Sequence, residues 1–238
     1  EALHVRLARA FMGTRLYLAG SESFIGLAMK VARQFDLNAD EVLREHCGSL
    51  VRRVWCVGRN YVEHAKEMGF TGREPPFFFA KHRDMIVQNG EKVEYPGLTK
   101  DYQHELELVV AMKSGGLNIP KEQALNHVYG YAVGLDMTRR DLQTISRKKE
   151  QPWEIGKSFE QSAPCTAITP AEKIGHPSKG KIQLHVNGAL RQDGDLAQMI
   201  WNVPETIAAL SAQIGLDAGD LIFTGTPAGV AACIRGDV

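Results

Sequence analysis

Over residues 101–110 the chain alternates. Leu106, Leu108 and Val110 fall on one face of an extended segment and Glu105 and Glu107 on the other, because strand side chains point to opposite faces in turn. The pattern predicts a strand with an apolar core face. Its two carboxylates share the opposite face, where they repel one another unless a cation lies between them. The same pattern also reads as a half-exposed strand whose polar side meets solvent. Taken alone, this segment fits both.

Apolar runs at 53–58, 77–80, 129–135, 182–186 and 221–224 predict further strands, and Asn187-Gly188 between two extended runs predicts a tight hairpin turn. Gly90, Pro96 and Gly97 punctuate a hairpin region ahead of the glutamate-bearing strand, and Ser114, Gly115 and Gly116 end that strand. Helical spacing recurs at Phe24, Ile25, Leu27, Ala28, Val31, Ala32 and Phe35, followed by a break at residues 36–38. Asp40 then caps a second short helix through Val42 and Leu43. Another short helix opens at Asn60 or Tyr61 and carries His64 and Glu67, and one over 122–127 follows Pro120. Residues 139–149 read as loop or helix, and 203–214 as a helix with Ile207, Leu210 and Ile214 on one face. Many strands, few helices and Gly/Pro turns predict an α+β fold on a curled mixed sheet. The expected division is a partly helical appendage over 1–50 and a metal-binding catalytic domain over 51–238.

A chain of 238 residues can bury a full core, and 44% hydrophobic with 24% charged residues leaves no stretch compositionally barred from folding. Lys plus Arg number 28, as do Asp plus Glu, which removes a general electrostatic attraction to nucleic acid or to an anionic membrane. No apolar run approaches the roughly 18 residues of a membrane span. Cys47, Cys56, Cys165 and Cys233 form no C-x-x-C pair, so the expectation is neither a thiolate zinc site nor a disulfide framework, and a reducing cytoplasm. The first 20 residues carry His4, Arg6, Arg9 and Arg15 but little Ser, so they read as an appendage rather than a transit peptide.

Asp136 adds a third carboxylate, delivered at the end of an apolar strand 29 positions after Glu107. Three hard oxygens favour Mg²⁺, Mn²⁺ or Ca²⁺ over zinc and leave coordination positions open for a chelating substrate. Alone, Asp136 reads rather as a turn or helix-cap residue before Met137 and Thr138. His64 and Glu67 sit three apart, a spacing that puts both on one helical face, as a carboxylate-oriented general base or as a solvated contact pair. Lys157, among Trp153 and Phe159, can hold an oxyanion or lay its stem over Trp153. Arg139, Arg140 and Gln143 can bind a carboxylate or form a solvated run. Residues 224–229 lack the spacing of a phosphate loop and read as a tight turn beside the site.

The order of these features carries more than any one of them. Gly58, Arg59, Asn60 and Tyr61 precede His64 and Glu67; Pro76 to Phe79 precede Lys81; His104, Glu105 and Glu107 follow. Asp136 and Thr138 then precede Arg140 and Gln143, ahead of Lys157, Asn187-Gly188 and Gly225, Thr226 and Pro227. From Val54 onward this array resembles the fumarylacetoacetate hydrolase family, and within it the acylpyruvate hydrolases, those acting on fumarylpyruvate above all, with oxaloacetate decarboxylases as relations. The resemblance implies a mixed β-sandwich roll that dimerises, Mg²⁺ or Mn²⁺ held by Glu105, Glu107 and Asp136, and a small oxo-acid substrate. It also implies a His64–Glu67 dyad activating water with Lys157 as the third catalytic group. Arg59, Tyr61, Lys81, Arg140, Gln143 and Thr226 would surround the substrate. Residues 1–50 match no part of the family pattern, His82 stands where Pro is common, and the family pattern runs a strand or two beyond Val238.

Overall fold

The computed structural model describes residues 51–63, 73–88 and 90–238 and, within the first fifty, two strands together with positions 28, 31, 32 and 34. Two compact units divide the chain, Glu1–Leu50 and Val51–Val238.

In the first unit, strands β1 (Leu16–Gly20) and β2 (Val42–His46) pair in parallel, with Leu16 opposite Val42. The short helix expected at Val42 and Leu43 is therefore corrected to a strand. One isolated helical turn is marginal, whereas pairing with β1 satisfies the same backbone groups. Ala28, Val31 and Ala32 are helical, as their spacing predicts.

The second unit contains β3 (Val54–Val57), β4 (Phe78–Lys81), β5 (Ile86–Gln88), β6 (Tyr102–His104), β7 (Leu106–Met112) and β8 (Val128–Leu135). It continues with β9 (Thr138–Arg139), α1 (Arg140–Lys148), α2 (Glu154–Lys157), β10 (Ala163–Cys165), β11 (Thr169–Pro170) and α3 (Ala171–Ile174). Strands β12 (Lys181–Val186) and β13 (Ala189–Asp195), helix α4 (Val203–Gln213), β14 (Leu221–Phe223) and β15 (Ala231–Ala232) complete it. The main sheet runs β4-β3-β14-β7-β8-β10-β5, with β11 added on β8. Its pairings are mixed, parallel between β3 and β14 and between β5 and β10, antiparallel elsewhere, so the architecture is α+β. Strands β12 and β13 form a separate hairpin. Its turn is the predicted Asn187-Gly188, both residues at positive φ (52° and 77°), as such a two-residue turn requires.

Strand β7 is the structural centre, and every one of its residues is buried. Leu106, Leu108, Val110 and Met112 pack with Ile182, Leu196, Val203, Ile207 and Leu210. Val109 and Ala111 pack on the opposite side with Val54, Cys56, Ala132, Leu221 and Phe223. Glu107 shares this second face, so the solvated-strand reading of the carboxylates is corrected: the sheet is covered on both sides. The predicted strand over 101–110 is also divided. It breaks at Glu105 into β6 and β7, and β6 joins a small sheet with β9 and β15.

Helix α4 begins where its sequence says it must. The Asn202 side chain accepts from Glu205 N at 3.1 Å while Glu205 Oε2 accepts from Asn202 N at 3.2 Å, a reciprocal cap ahead of Pro204. The predicted helix after Pro120 is a 3₁₀ segment, Lys121–His127.

Beyond β14 the chain turns at Gly225, whose φ of +93° is left-handed and whose added Cβ would lie 2.6 Å from Asn60 Cβ. Asn60 ties this turn to its neighbours, donating through Nδ2 to Thr224 O (2.7 Å) and Trp201 O (2.8 Å) and accepting from Trp201 N (2.7 Å). We predict that Gly225→Ala lowers the unfolding free energy by about 1–3 kcal/mol, through the strained φ and the contact with Asn60. A urea transition read by fluorescence checks this; an unshifted midpoint would show that the turn tolerates a side chain.

Candidate metal centre and active site

Strand register places the three carboxylates. Glu105 precedes β7 and Asp136 follows β8, and Asp136 N donates to Glu105 O at 2.8 Å, so these two residues face each other across the end of the antiparallel pair. Strand β14 runs along the other edge of β7 and ends beside Glu107, where Gly225 N donates to Glu107 Oε2 at 2.7 Å. Three strand ends thus meet. One oxygen each of Glu105, Glu107 and Asp136 lies within 4.8 Å of the others, and their exposures are 5%, 1% and 1%.

Carboxylates this close and this dry require compensation, and the sequence supplies it from three directions. Lys157, buried at the end of α2, donates through Nζ to Glu105 Oε2 (2.8 Å), Asp136 Oδ2 (2.7 Å) and Thr138 Oγ1 (2.8 Å). Lys81, buried at the end of β4, sets its Nζ 2.8 Å from Asp136 Oδ1 and donates to the backbone oxygens of Met137 and Lys157. Its approach to Asp136 Oδ1 lacks the angle of a hydrogen bond, so that oxygen retains lone-pair capacity. Arg140, in the first turn of α1, pairs with Glu105 Oε1 and donates to Gln103 Oε1 (2.8 Å) and Gln143 Oε1 (2.5 Å). Burial pulls the Lys157 ammonium down, but Asp136 and Glu105 outweigh it and hold its pKa above the ordinary lysine value.

Glu107 differs from its neighbours. Among the described residues it has no ion-pair partner, and its hydrogen-bond donor is Gly225 N. Burial, then the charges of Asp136 and Glu105, push its pKa well up, against the opposing pull of Lys157. This is the observation on which the fit of a metal turns. A wholly buried carboxylate with one donor, beside two further carboxylate oxygens, is relieved by a divalent cation bound to oxygen, and the all-oxygen donor set suits Mg²⁺ or Mn²⁺ rather than zinc. The residues present fit the ion.

A small cleft opens on these groups. It is lined by Arg59, Glu105, Glu107, Asp136, Arg140, Gln143, Lys157 and Thr226, all of them predicted site residues, together with Val57, Gly58, Phe79 and Trp153. Arg59 reaches it from a left-handed backbone (φ 56°), its guanidinium 5.0 Å from the Phe77 ring centre and 5.9 Å from that of Trp153. Burial, then nearby Arg147, pulls its pKa down. Lys157 Nζ stands 5.3 Å over Phe79 and faces the carboxylates, so its stem does not serve merely to cover Trp153. Lys81 stands against Asp136 rather than on the cleft wall. Tyr61 is buried beside Met199; its hydroxyl has no hydrogen-bond partner among the described residues, and burial, then Glu107, pushes its pKa up. His64 and Glu67 lie outside the described residues.

Two contributors carry no pattern in the sequence. Gln192, wholly buried, sits in the polar run Arg191-Gln192-Asp193 of β13, which reads as the solvated side of a hairpin. The Gly225 amide is a backbone group and leaves no side-chain signature. Thr138 stands in the Asp136 array, and its hydroxyl accepts from Lys157 while donating to Asp136 O at 3.0 Å.

Residues 53–237 match the family described as Fumarylacetoacetate (FAA) hydrolase C-terminal, and residues 1–42 match Dimethylamine monooxygenase subunit DmmA-like, N-terminal domain. A fumarylpyruvate hydrolase from Ralstonia sp is 44% identical over 164 residues, 69% of this chain and 85% of the relative. The oxaloacetate tautomerase FAHD1, mitochondrial, of Homo sapiens is 42% identical over 179 residues, 75% of this chain and 81% of the relative. A crystal structure of fumarylpyruvate hydrolase from Pseudomonas aeruginosa, in complex with Mn²⁺ and pyruvate, superposes with a TM-score of 0.76 at 55% identity, covering 79% of this chain and 82% of that one. With its carboxylate site formed where β7, β8 and β14 end, this chain belongs to the fumarylacetoacetate hydrolase family.

Proposed function

We propose that this protein is a divalent-metal-dependent hydrolase that cleaves the C–C bond of an acylpyruvate, with fumarylpyruvate, split to fumarate and pyruvate, as the favoured substrate. The observation that carries the proposal is the buried convergence of Glu105, Glu107 and Asp136 on a cleft also lined by Lys157 and Arg140. The pyruvate and Mn²⁺ held by a relative 55% identical support the same chemistry. Mg²⁺ or Mn²⁺ is the metal we propose, and a homodimer in the cytoplasm the setting. The described cysteines Cys56, Cys165 and Cys233 are free thiols, in keeping with a reducing compartment, and no described helix is long and apolar enough to cross a membrane.

A cation held by Glu105, Glu107 and Asp136 would supply Lewis-acid stabilisation of the negative charge on the departing pyruvate enolate. Arg140 and Gln143, already hydrogen-bonded to one another, present donors at the cleft for the substrate carboxylate. His64, oriented by Glu67, takes a proton from a water that attacks the distal acyl carbonyl. The adduct's C–C bond then breaks: the acyl part leaves as a carboxylic acid, the bonding electron pair passes to C3 of the pyruvate enolate, and that carbon takes up a proton. Lys157 is the ammonium nearest the carboxylates, positioned to offset charge that develops on the adduct.

The human relative, 42% identical, is an oxaloacetate tautomerase. Tautomerisation or decarboxylation of oxaloacetate requires the same enolate stabilisation without a nucleophilic water. Fumarylpyruvate, acetylpyruvate and oxaloacetate offered in turn with Mg²⁺, followed by ultraviolet absorbance and CO₂ release, separate the readings. We expect fumarylpyruvate to be cleaved with the highest kcat/KM; turnover of oxaloacetate alone would replace hydrolysis with the second reading.

On hydrolysis, His64→Ala should cost about 10² to 10⁴ in kcat/KM and Glu107→Ala at least as much, since a metal ligand contributes to every later step. Steady-state rates check this, and an undiminished Glu107→Ala enzyme would contradict it. Mg²⁺ uptake should also be linked to protons. Glu107 holds its proton to higher pH than an ordinary glutamate, yet a cation binds its carboxylate form. Calorimetric titration in buffers of different ionisation enthalpy should therefore show weaker binding and greater proton release as pH falls from about 8 to about 5. Affinity independent of pH over that span would remove Glu107 from the ligand set.

A further inference from the structure

Gln192 lies on β13, outside the main sheet, yet its amide reaches both segments that carry the site. Its Oε1 accepts from Leu106 N at 2.9 Å and faces His104 Nδ1 at 3.0 Å. Its Nε2 donates to Thr226 Oγ1 at 2.8 Å and to Pro227 O at 3.0 Å. The orientation of this amide is forced. A backbone N–H can only donate and a backbone carbonyl can only accept, so the oxygen must face Leu106 and the nitrogen Pro227. His104 consequently presents Nδ1 as an N–H.

The consequence for Thr226 is chemical. Its Oγ1 receives a hydrogen from Gln192, so the hydroxyl must aim its own hydrogen elsewhere. Pro227 O, at 3.5 Å, is at the outer limit for such a bond and already accepts from Gln192. The other direction is the cleft, which Thr226 lines beside Glu107 and Arg140. The turn packs closely on β13, where a Cβ added at Gly194 would lie 2.6 Å from Pro227 Cβ.

We infer that Gln192 is a positioning residue: by donating to Thr226 Oγ1 it commits the Thr226 O–H to donate into the cleft, to an anionic oxygen of the oxo-acid substrate. The inference rests on the acylpyruvate reading and deepens it, assigning Thr226 as a donor and His104, Gln192 and Thr226 as one directional chain. Gln192→Met removes the hydrogen donated to Thr226 Oγ1, so the Thr226 hydroxyl is no longer committed to the cleft.

The test is a double-mutant cycle on the Mg²⁺-loaded protein, reading the Kd of pyruvate by calorimetry for the parent chain, Gln192→Met, Thr226→Val and the pair. Each single change should weaken pyruvate binding about tenfold, as loss of a hydrogen bond to a charged oxygen does, and the double variant should be no weaker than Thr226→Val. A general structural effect of Gln192 would instead multiply with that of Thr226→Val, and such a product, or an unchanged Kd in Gln192→Met, overturns the inference. If Gln192→Met does not fold, Gln192→Glu, which places a carboxylate oxygen where the amide donor stood, takes its place in the cycle with the same expectations. A parent protein that neither binds pyruvate nor cleaves any acylpyruvate removes the acylpyruvate reading and this inference with it; a parent that does both, with multiplying losses, removes the inference alone.

Discussion

Three carboxylates held within 4.8 Å of one another and out of water set the terms for the rest of the second unit. Like charges in a dry site raise one another's proton affinity, and burial without partners costs several kcal/mol per ion. Lys157 and Lys81 are almost wholly buried and Arg140 is partly buried, each aimed at Glu105 or Asp136. Together they oppose three positive charges to three negative ones. Glu107 has no such cation among the described residues, and burial, then the charges of Asp136 and Glu105, raise its proton affinity. The imbalance is local to one oxygen pair, which is where a divalent ion is most useful.

The fold explains how these groups meet. Glu105 and Asp136 are opposite one another by β-register, Glu107 is reached by the amide that follows β14, and Lys81 ends β4. Arg140 and Lys157 come from two short helices inserted between β9 and β10. Each of these six side chains projects from a position at or beside the end of a strand or from the terminal turn of a helix. Such placement suits a site that must hold a small acid and an ion in fixed relation, because little reorganisation remains when charge develops. Gln192 adds direction to that order, fixing which way hydrogens point as well as where atoms lie.

Much of this was readable in the residues, and the exceptions have physical causes. The alternation around Glu107 identified the core face of β7, Asn187-Gly188 the turn between β12 and β13, and the spacing of Ile207, Leu210 and Ile214 the helix over 203–214, because these signals are local. The burial of Glu105 and Glu107 was not local: Glu-x-Glu reads the same on a solvated strand, and β14 and its flanking loops decide the matter from more than a hundred residues away. The break at Glu105 was invisible for the same reason, since a separate sheet draws β6 aside. Gln192 was missed because a single buried amide in a polar hairpin strand has no periodicity to betray it. At Val42 a helical cap and apolar pair gave way to pairing with a distant strand, the usual outcome when a short segment has a partner available.

In the proposed site Glu105, Glu107 and Asp136 together hold one divalent ion. Anomalous diffraction from crystals grown with Mn²⁺ measures this directly. We expect a single strong peak within about 2.5 Å of an oxygen from each of the three residues, the coordination range of hard divalent cations. A peak that contacts other residues, or carboxylates that keep their contacts to Lys157 and Gly225 with no peak between them at saturating Mn²⁺, would contradict it.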